Sequence, residues 1–431
     1  MTDHQAPFPD HVDVVVIGAG PGGTSAAATL ARAGRSVLVL ERRSFPRFHI
    51  GESMLPYTMT LLDRMGALDK ALKQGYVTKR GAEFIFPTGD FRRVDFSDQG
   101  EGRYPTTFQL ERSHFDDLLA GHARESGARV VEEALVTDLL EEGDRVTGVR
   151  FNAAGGTHEV RAKYVLDAAG RASKIAQTRQ LRRTVERLRN VAVFRHYDGL
   201  DESQNPGHEG DIQVGGHPDG WLWAIPIWPE TISVGAVMPR AVLRNRKPEE
   251  VFDEHLARVP RVARRLTGAV ARPEVRVETD YCYYADTMTG PGWFLVGDAA
   301  CFFDPIFSGG VFLAVATGTM AAEHVDRILA EPEREAELQD RYTRRFKTGA
   351  DTYARIIYAY YESEYNLGRF LRAHGVDVEG KWFTRVLSGD FWSTDNPVSQ
   401  WLRTEDRWAT FAPYEPLHEC PVHPEPATTT V

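Results

Sequence analysis

Cysteine is scarce in this chain, with three residues (Cys282, Cys301 and Cys420) among 431. They stand too far apart for the paired spacing of a zinc site and are too few for a disulfide framework. The sequence therefore predicts no metal centre and fits a reducing, cytoplasmic setting. An excess of positive charge is also lacking. Lys and Arg number 51 against 61 Asp and Glu, a formal net charge of −10, and no basic stripe follows any segment. This argues against nucleic acid as a partner. No apolar run approaches the length of a membrane span, and the opening stretch MTDHQAPFPDHVD has acids and prolines where a secretory leader has an apolar core. What is present is the composition of a globular protein, 42% hydrophobic and 26% charged, in a chain too long for one small core. Two basic clusters, Arg42, Arg43 and Arg47, and Arg179, Arg182 and Arg183, read first as solvated surface.

Residues 12–17, VDVVVI, form a short apolar run suited to a buried parallel strand. GAGPGG follows and opens the helical pattern TSAAATLARAG, and SVLVLE makes a second buried strand ending at Glu41. Together they are one strand–helix–strand unit. Apolar strands recur in KYVLDAAGR (163–171) and WFLVGDAACFFDP (293–305), the latter followed by the helical GGVFLAVATGTMAAEHVDRILA. ERSHFDDLLAGHARESG (111–127) reads as an amphipathic helix capped by Ser113 and stopped by Gly127. Between about 190 and 290, GWLWAIPI and TISVGAVM alternate like antiparallel strands.

Gly18, Gly20 and Gly23 lie between strand and helix, and Glu41 ends the next strand, which is the spacing of a dinucleotide fingerprint. One glycine makes the turn, one lets backbone approach a pyrophosphate, and one lets helix pack on strand. The helix N-terminus favours phosphate, and the acid accepts from ribose hydroxyls. Later, VGDAA (296–300) places Gly297 and Asp298 after another strand, where a carboxylate suits the ribityl hydroxyls of a flavin. Two nucleotide-type elements this far apart point to one long cofactor, FAD, with its ring near the helix after Gly310. The expected fold class is α/β. A GxGxxG Rossmann-like FAD-binding domain is split over 1–190 and 280–335, and a mainly antiparallel substrate-side sheet is inserted at 191–279. A helical C-terminal lid covers 336–410, and an extended or disordered tail covers 411–431.

Over about 1–395 these features resemble the FAD-dependent monooxygenases of the para-hydroxybenzoate hydroxylase type. Three stretches narrow the resemblance to the flavin-dependent halogenases. FPRFHIGESMLP (45–56) follows the ribose acid, GWLWAIPI (220–227) looks like the WxWxIP signature, and FFDPIFSGGVFLA (302–314) looks like the Phe-x-Pro stretch that precedes Ser and Gly.

The resemblance implies FAD used as FADH2, supplied by a separate flavin reductase, with O2 as oxidant and chloride or bromide as co-substrate. The acceptor would be an aromatic small molecule or a ring held on an acyl or peptidyl carrier protein. By the same resemblance Lys79, two residues before Gly81, delivers electrophilic halogen, and Arg112 contacts FAD. Trp221, Trp223 and Pro226, with Phe84, line a tunnel between flavin and substrate, and Ser308, Gly309 and Gly310 hold halide. A desolvated lysine is a competent nucleophile, and backbone N–H groups at a helix start suit an anion. Many relatives carry Ser-Ser-Gly where this chain has Ser308-Gly309-Gly310, a departure at the halide site. His49, Glu52 and Ser53 either touch cofactor or order their loop. Tyr353, Tyr358, Tyr360, Tyr361 and Tyr365, with VLSGDFW (386–392), would cap the substrate side, and an acidic carrier would suit Arg179–Arg183. The alternative function is an NAD(P)H-dependent FAD aromatic hydroxylase. Two indoles on one strand face would oppose it by keeping the ring off the flavin.

Overall fold

The computed structural model describes residues 8–100, 103–279 and 281–422. Its first sheet is built from the apolar runs. Strands Trp293–Leu295, Gly156–Asp167, His11–Ile17, Val37–Leu40 and Arg129–Val131 lie parallel in that spatial order. Val14, Val15 and Val16 and their neighbours Val165 and Leu166 are fully buried. Strands covered on both faces need no polar alternation, which is why they read as continuous apolar runs. An antiparallel pair, Leu135–Glu142 and Arg145–Ala153, extends the sheet from Gly156–Asp167. Helices Pro21–Arg32 and Gly309–Ala330 cross on it with backbones nearly touching: a Cβ on Gly318 would lie 2.2 Å from the Gly22 carbonyl oxygen.

The second sheet runs Val270–Ala271, Asn190–Asp198, Thr231–Pro239, Gly220–Trp228, Ile212–His217, Gly81–Ile85, Phe91–Asp95. It is antiparallel except where Ile212–His217 lies beside Gly81–Ile85. Gly81–Ile85 and Phe91–Asp95 come from a segment expected to serve the FAD-binding domain alone. They join this sheet because their partner, Ile212–His217, arrives much later in the chain. Pro226 sits within the sheet, and a register shift between Pro226 and Trp228 accommodates it.

The C-terminal region is helical: Glu335–Glu362, then Leu367–Ala373, Lys381–Ser388 and Pro397–Thr404. Residues 411–422 have no regular secondary structure but are tied to the long helix. Leu417 N donates to Thr348 Oγ1 (2.8 Å) and Arg345 Nε to the Glu419 carbonyl (2.7 Å). The rest of the tail, 423–431, lies outside the described residues. Helix Arg112–Glu125 starts two residues earlier than a Ser113 cap allows, and Ser113 Oγ bonds Glu111 Oε1 instead (2.9 Å). Among the described residues no helix is long and apolar enough to cross a membrane, and no group of three or more His, Cys, Asp or Glu could hold a metal ion.

Candidate active site

The first strand ends at Gly18, φ 92°, where a side chain would meet Ala168 O at 2.8 Å. The missing Cβ of Gly23 lies 2.0 Å from Gly18 O, so that glycine serves packing. Gly20 is open, with Arg47 Nη2 the nearest atom to its missing Cβ at 3.8 Å. Helix Pro21–Arg32 begins with proline and no side-chain cap, leaving its first-turn N–H groups for a ligand. Glu41 is buried. It accepts from Ala19 N (2.9 Å) and Arg43 N (3.1 Å) and keeps lone pairs free for ribose hydroxyls. Arg47 also pairs with Glu41, Nη2 to Oε2 and Nε to Oε1 at 3.4 Å each, and with Asp116 through Nη1 (3.0 Å).

Asp298 follows strand Trp293–Leu295 in a turn pressed on helix Gly309–Ala330, since a Cβ on Gly297 would lie 2.9 Å from Ala314 Cβ. Its half-buried carboxylate makes no hydrogen bond among the described residues. Burial pushes its pKa up to about 7, against the fields of Arg112, Arg171 and Arg182. FAD fits this set: an open glycine cradle, an uncapped helix start, one acid at ribose distance along the chain and a second with unused lone pairs.

Arg112, assigned to FAD by resemblance, spends its guanidinium on the protein. It binds Asp116 through Nε and Nη2 (2.8 and 3.0 Å) and donates to Ile50 O (2.8 Å). The structure places it behind the loop that carries His49 and Glu52. His49 Nδ1 lies 2.7 Å from Ile50 O, and the buried Glu52 lies 3.1 Å from His196.

The expected halide residues begin helix Gly309–Ala330. Ser308 is left-handed (φ 56°), and its hydroxyl does not cap the helix. Gly309 N–H already donates to Tyr353 OH (3.1 Å), which donates onward to Asp304 O (3.2 Å). A Cβ on Gly309 would fall 2.5 Å from the Tyr353 ring. Glycine here is thus matched to Tyr353, and the donors left for an anion are Ser308 Oγ and the Gly310 N–H.

Trp221 and Trp223 lie on Gly220–Trp228, both buried, with ring centres 6.0 Å apart. Trp221 Nε1 donates to Tyr361 OH (2.9 Å), and Tyr361 OH donates to Asp304 Oδ2 (2.7 Å), which also accepts from Asn190 Nδ2 (3.1 Å). Burial pushes Asp304 up to about 6, although these bonds pull it down. Trp223 Nε1 bonds Ser233 Oγ (3.2 Å), and its ring meets Phe194 at 5.7 Å. One indole is therefore linked through Tyr361 to the loop at Asp304 and the other is seated in the sheet core. Phe84 meets that loop at Phe307, 6.1 Å between centres, and Tyr360 packs on Phe307 from the other side (5.4 Å). Asn190 and Asp304 were not singled out from the sequence. Asp304 carried a signal, an acid between Phe303 and Pro305 in an otherwise apolar stretch.

The tryptophan strand also passes strands Val77–Lys79 and Thr107–Gln109, which pair antiparallel with Lys79 opposite Thr107. Ser53 bridges Gln109, Met54 N donates to Phe108 O (2.9 Å), and Leu110 N to Glu52 O (2.9 Å), so the 52–54 loop acts as a third strand. Across it, Lys79 Nζ donates to Ser53 Oγ (2.8 Å) and Met54 O (3.0 Å) and lies 5.2 Å from the Phe96 ring centre. Helix Lys381–Ser388 packs on Phe96–Gln99, with Arg385 Nε donating to Gln99 O (2.8 Å). Lys79 is 1% exposed, and no carboxylate among the described residues lies within ion-pair distance. Burial lowers its pKa to about 7, and the field of Asp211 offsets only part of this. An exposed surface lysine is ruled out.

The arginines offered to a carrier have partners within the chain and stay partly exposed, the Arg183 side chain by 55%. Arg179 pairs with Glu141 (2.7 Å) and Arg183 with Asp286 (2.5 Å), while Arg182 donates to the carbonyls of Arg171 (2.6 Å) and Gly170 (2.9 Å). In the sequence these arginines look free because each partner is distant or is backbone.

Comparison with known proteins gives the family. A family model described as FAD binding domain matches residues 11–353. The chain is 33% identical over 363 residues to a tryptophan 2-halogenase of Chondromyces crocatus, covering 82% of this chain and 69% of that protein. It is 30% identical to a 1H-pyrrole-2-carbonyl-[peptidyl-carrier protein] brominase of Pseudoalteromonas luteoviolacea, covering 74% and 78%. Among solved structures, the myxobacterial chondrochloren halogenase CndH superposes with a TM-score of 0.78 at 30% identity, over 91% of this chain and 93% of that one. The flavin-dependent brominase Bmp2 gives 0.81 at 27% identity, over 91% and 98%. The chain spans about two thirds of the length of the first curated relatives, 69% and 66%. An FAD-binding domain model over most of the chain and relatives of this kind place it in one family: it belongs to the flavin-dependent halogenases.

Proposed function

We propose that this chain is an FADH2- and O2-dependent halogenase that chlorinates an electron-rich aromatic ring in natural-product biosynthesis, with the halogen delivered by Lys79. The ring is of phenol or pyrrole type, free or carrier-bound, and a separate reductase supplies FADH2. The observation that carries the reading is the Lys79 amine, 1% exposed, without a carboxylate partner among the described residues, and brought by burial to a pKa of about 7. A sealed amine that is substantially neutral at neutral pH is a nucleophile. The similarity to a pyrrolyl-carrier brominase supports an electron-rich acceptor.

Bound FADH2, with O2, supplies the two-electron oxidation that makes halide electrophilic. Overall, FADH2, O2, halide, a ring C–H and a proton give FAD, aryl halide and two waters. Ser308 Oγ and the Gly310 N–H, at an uncapped helix start, offer the halide its donors. Trp221 and Trp223 keep a ring-sized substrate on the Lys79 side while a small oxidant passes. At Lys79 the neutral nitrogen takes halogen from hypohalous acid as water leaves. The nitrogen–halogen bond then breaks toward the ring, which loses its proton as aromaticity returns.

Lys79→Ala should reoxidise FADH2 at the normal rate and lose aryl halide, read by mass spectrometry in chloride and in bromide. Full halogenation by that variant overturns the role of Lys79. Oxygenated product formed with NADPH and no halide would instead identify the hydroxylase.

A further inference from the structure

We propose that Ser53 is the positioning residue for the Lys79 amine: together with the Met54 carbonyl it takes both N–H bonds of the neutral amine, so that the nitrogen's lone pair has one direction left. The proposal rests on the reading of Lys79 above and deepens it.

A neutral amine carries two N–H bonds and one lone pair at roughly tetrahedral angles. Two acceptors face Lys79 Nζ, Ser53 Oγ at 2.8 Å and Met54 O at 3.0 Å, and both come from the same loop. That loop is held on strand Thr107–Gln109 by the Ser53–Gln109 bridge and the Met54 N–Phe108 O bond, while Lys79 is held on the opposite edge of the same strand by its pairing with Thr107. Donor and acceptors are therefore fixed by backbone pairing on two sides of one strand. Ser53 is 4% exposed and Lys79 1%, so bulk water does not replace a lost partner. With both N–H groups directed at the loop, the lone pair points away from it, where an incoming electrophile must arrive. Ammonium could also donate to these acceptors, but its third N–H would then occupy the lone-pair direction.

Asp211 is the charged group whose field reaches the amine. It is held by Arg93 Nε (2.7 Å) and by the N–H groups of Arg80 and Gly81 (2.9 and 2.7 Å). Glu52 and His196 are the titratable pair next along the loop and the adjoining sheet. Substituting Ser53 changes none of these. It removes one acceptor, and ammonium loses more by that than neutral amine does, because hydrogen bonds to charged groups are the stronger ones.

Ser53→Ala should lower halogenated product per turnover about tenfold, the scale of lost orientation. It should also move the acid limb of the turnover–pH profile to lower pH and raise the share of FADH2 oxidised without product. The FAD dissociation constant and the FADH2 reoxidation rate should stay as they are. Ser53→Thr, which restores the hydroxyl, should return both the product yield and the acid limb. Ser53→Cys, of nearly the same shape with a poorer acceptor, should show the same directions in smaller measure and serves if the alanine variant does not fold. An unmoved acid limb with normal yield in Ser53→Ala overturns the proposal. So does equal loss in the Ala and Thr variants with the limb in place, which is the mark of mere packing. Failure of the underlying reading is separate: Lys79→Ala would then keep its product whatever Ser53 does.

Discussion

Lys79 and Glu83 stand four residues apart on adjacent strands, Val77–Lys79 and Gly81–Ile85, and both are shut away from water. Around Glu83 the fold supplies full compensation. Arg261 forks onto it (2.5 and 2.7 Å), His208 Nδ1 lies at 2.6 Å, and Gln213 Nε2 donates at 2.8 Å. Burial raises the Glu83 pKa, but these bonds outweigh it and hold the carboxyl below its usual range. Around Lys79 there are two neutral acceptors, and burial wins. Two other acids fall between these cases: Asp304 is met by Tyr361, Asn190 and the Ile306 N–H, yet burial still raises it to about 6, while the half-buried Asp298, its carboxylate without a hydrogen bond among the described residues, is raised to about 7. A compensated buried charge is architecture: Glu83, on a strand paired on both sides, joins the second sheet to helix Pro260–Arg265. An uncompensated one weakens the fold and persists for another reason.

The sharpest way to break the comparison is to remove each member. Lys79→Met should cut halogenated product by ~10³-fold or more, the scale on which a positioned catalytic group acts. It should leave the melting temperature unchanged or raised, because an apolar chain of similar length replaces a desolvated amine. A fall in melting temperature would make Lys79 structural. Arg261→Ala should do the opposite. With the fork gone but His208 and Gln213 in place, stability should fall by ~2 kcal/mol in denaturant titration, below the usual cost of breaking a fully buried pair because Arg261 is partly exposed, and product per folded enzyme should hold. Asp298→Asn should weaken FAD binding about tenfold, the cost of one hydrogen bond to a charged acceptor, with no loss of stability in the FAD-free protein. If instead it binds FAD normally and unfolds early, Asp298 belongs with Glu83 rather than with Lys79.

How far these sites were legible in the sequence follows from what makes each of them. The strands of the first sheet and the glycine fingerprint are local patterns, apolar on both faces and evenly spaced, and they fold where they read. Helix Gly309–Ala330 keeps the limits its sequence pattern sets. The place of Gly81–Ile85 in the second sheet is not local, because it depends on a partner strand more than a hundred residues later. Lys79 could be reached only through resemblance, since one lysine in a short strand looks like any other. Its seal is assembled from Ser53, Met54, Phe96 and a C-terminal helix, segments no periodicity connects. Gly309 read as a departure at the halide site until Tyr353, 44 positions on, appeared against it. The ion pairs of Arg179 and Arg183 were illegible for the same reason, with Glu141 and Asp286 invisible as partners in one dimension.

The pH dependences separate the two charges most cleanly, because they fall in different windows. The folded pKa of Lys79 is depressed to about 7 from its ordinary value of 10.5. Between those values the unfolded chain holds a proton the folded one lacks, so stability rises with pH across that window, by at most ~1.4 kcal/mol per pH unit, and is flat below it. Glu83 is a carboxyl whose folded pKa lies below its ordinary value of 4.5, so its stabilisation is present above that value and fades as pH falls through the folded one. Denaturant titrations at a series of pH values should therefore show the wild type gaining on Lys79→Met from pH 7 toward 10 and keeping a constant difference from pH 5 to 7. The gap between wild type and Arg261→Ala should be constant across both ranges and close only in acid. A Lys79→Met curve parallel to wild type from pH 7 to 10 would mean that the amine stays charged in the folded protein. The distinction between the two residues would then lie in their partners alone and not in their protonation.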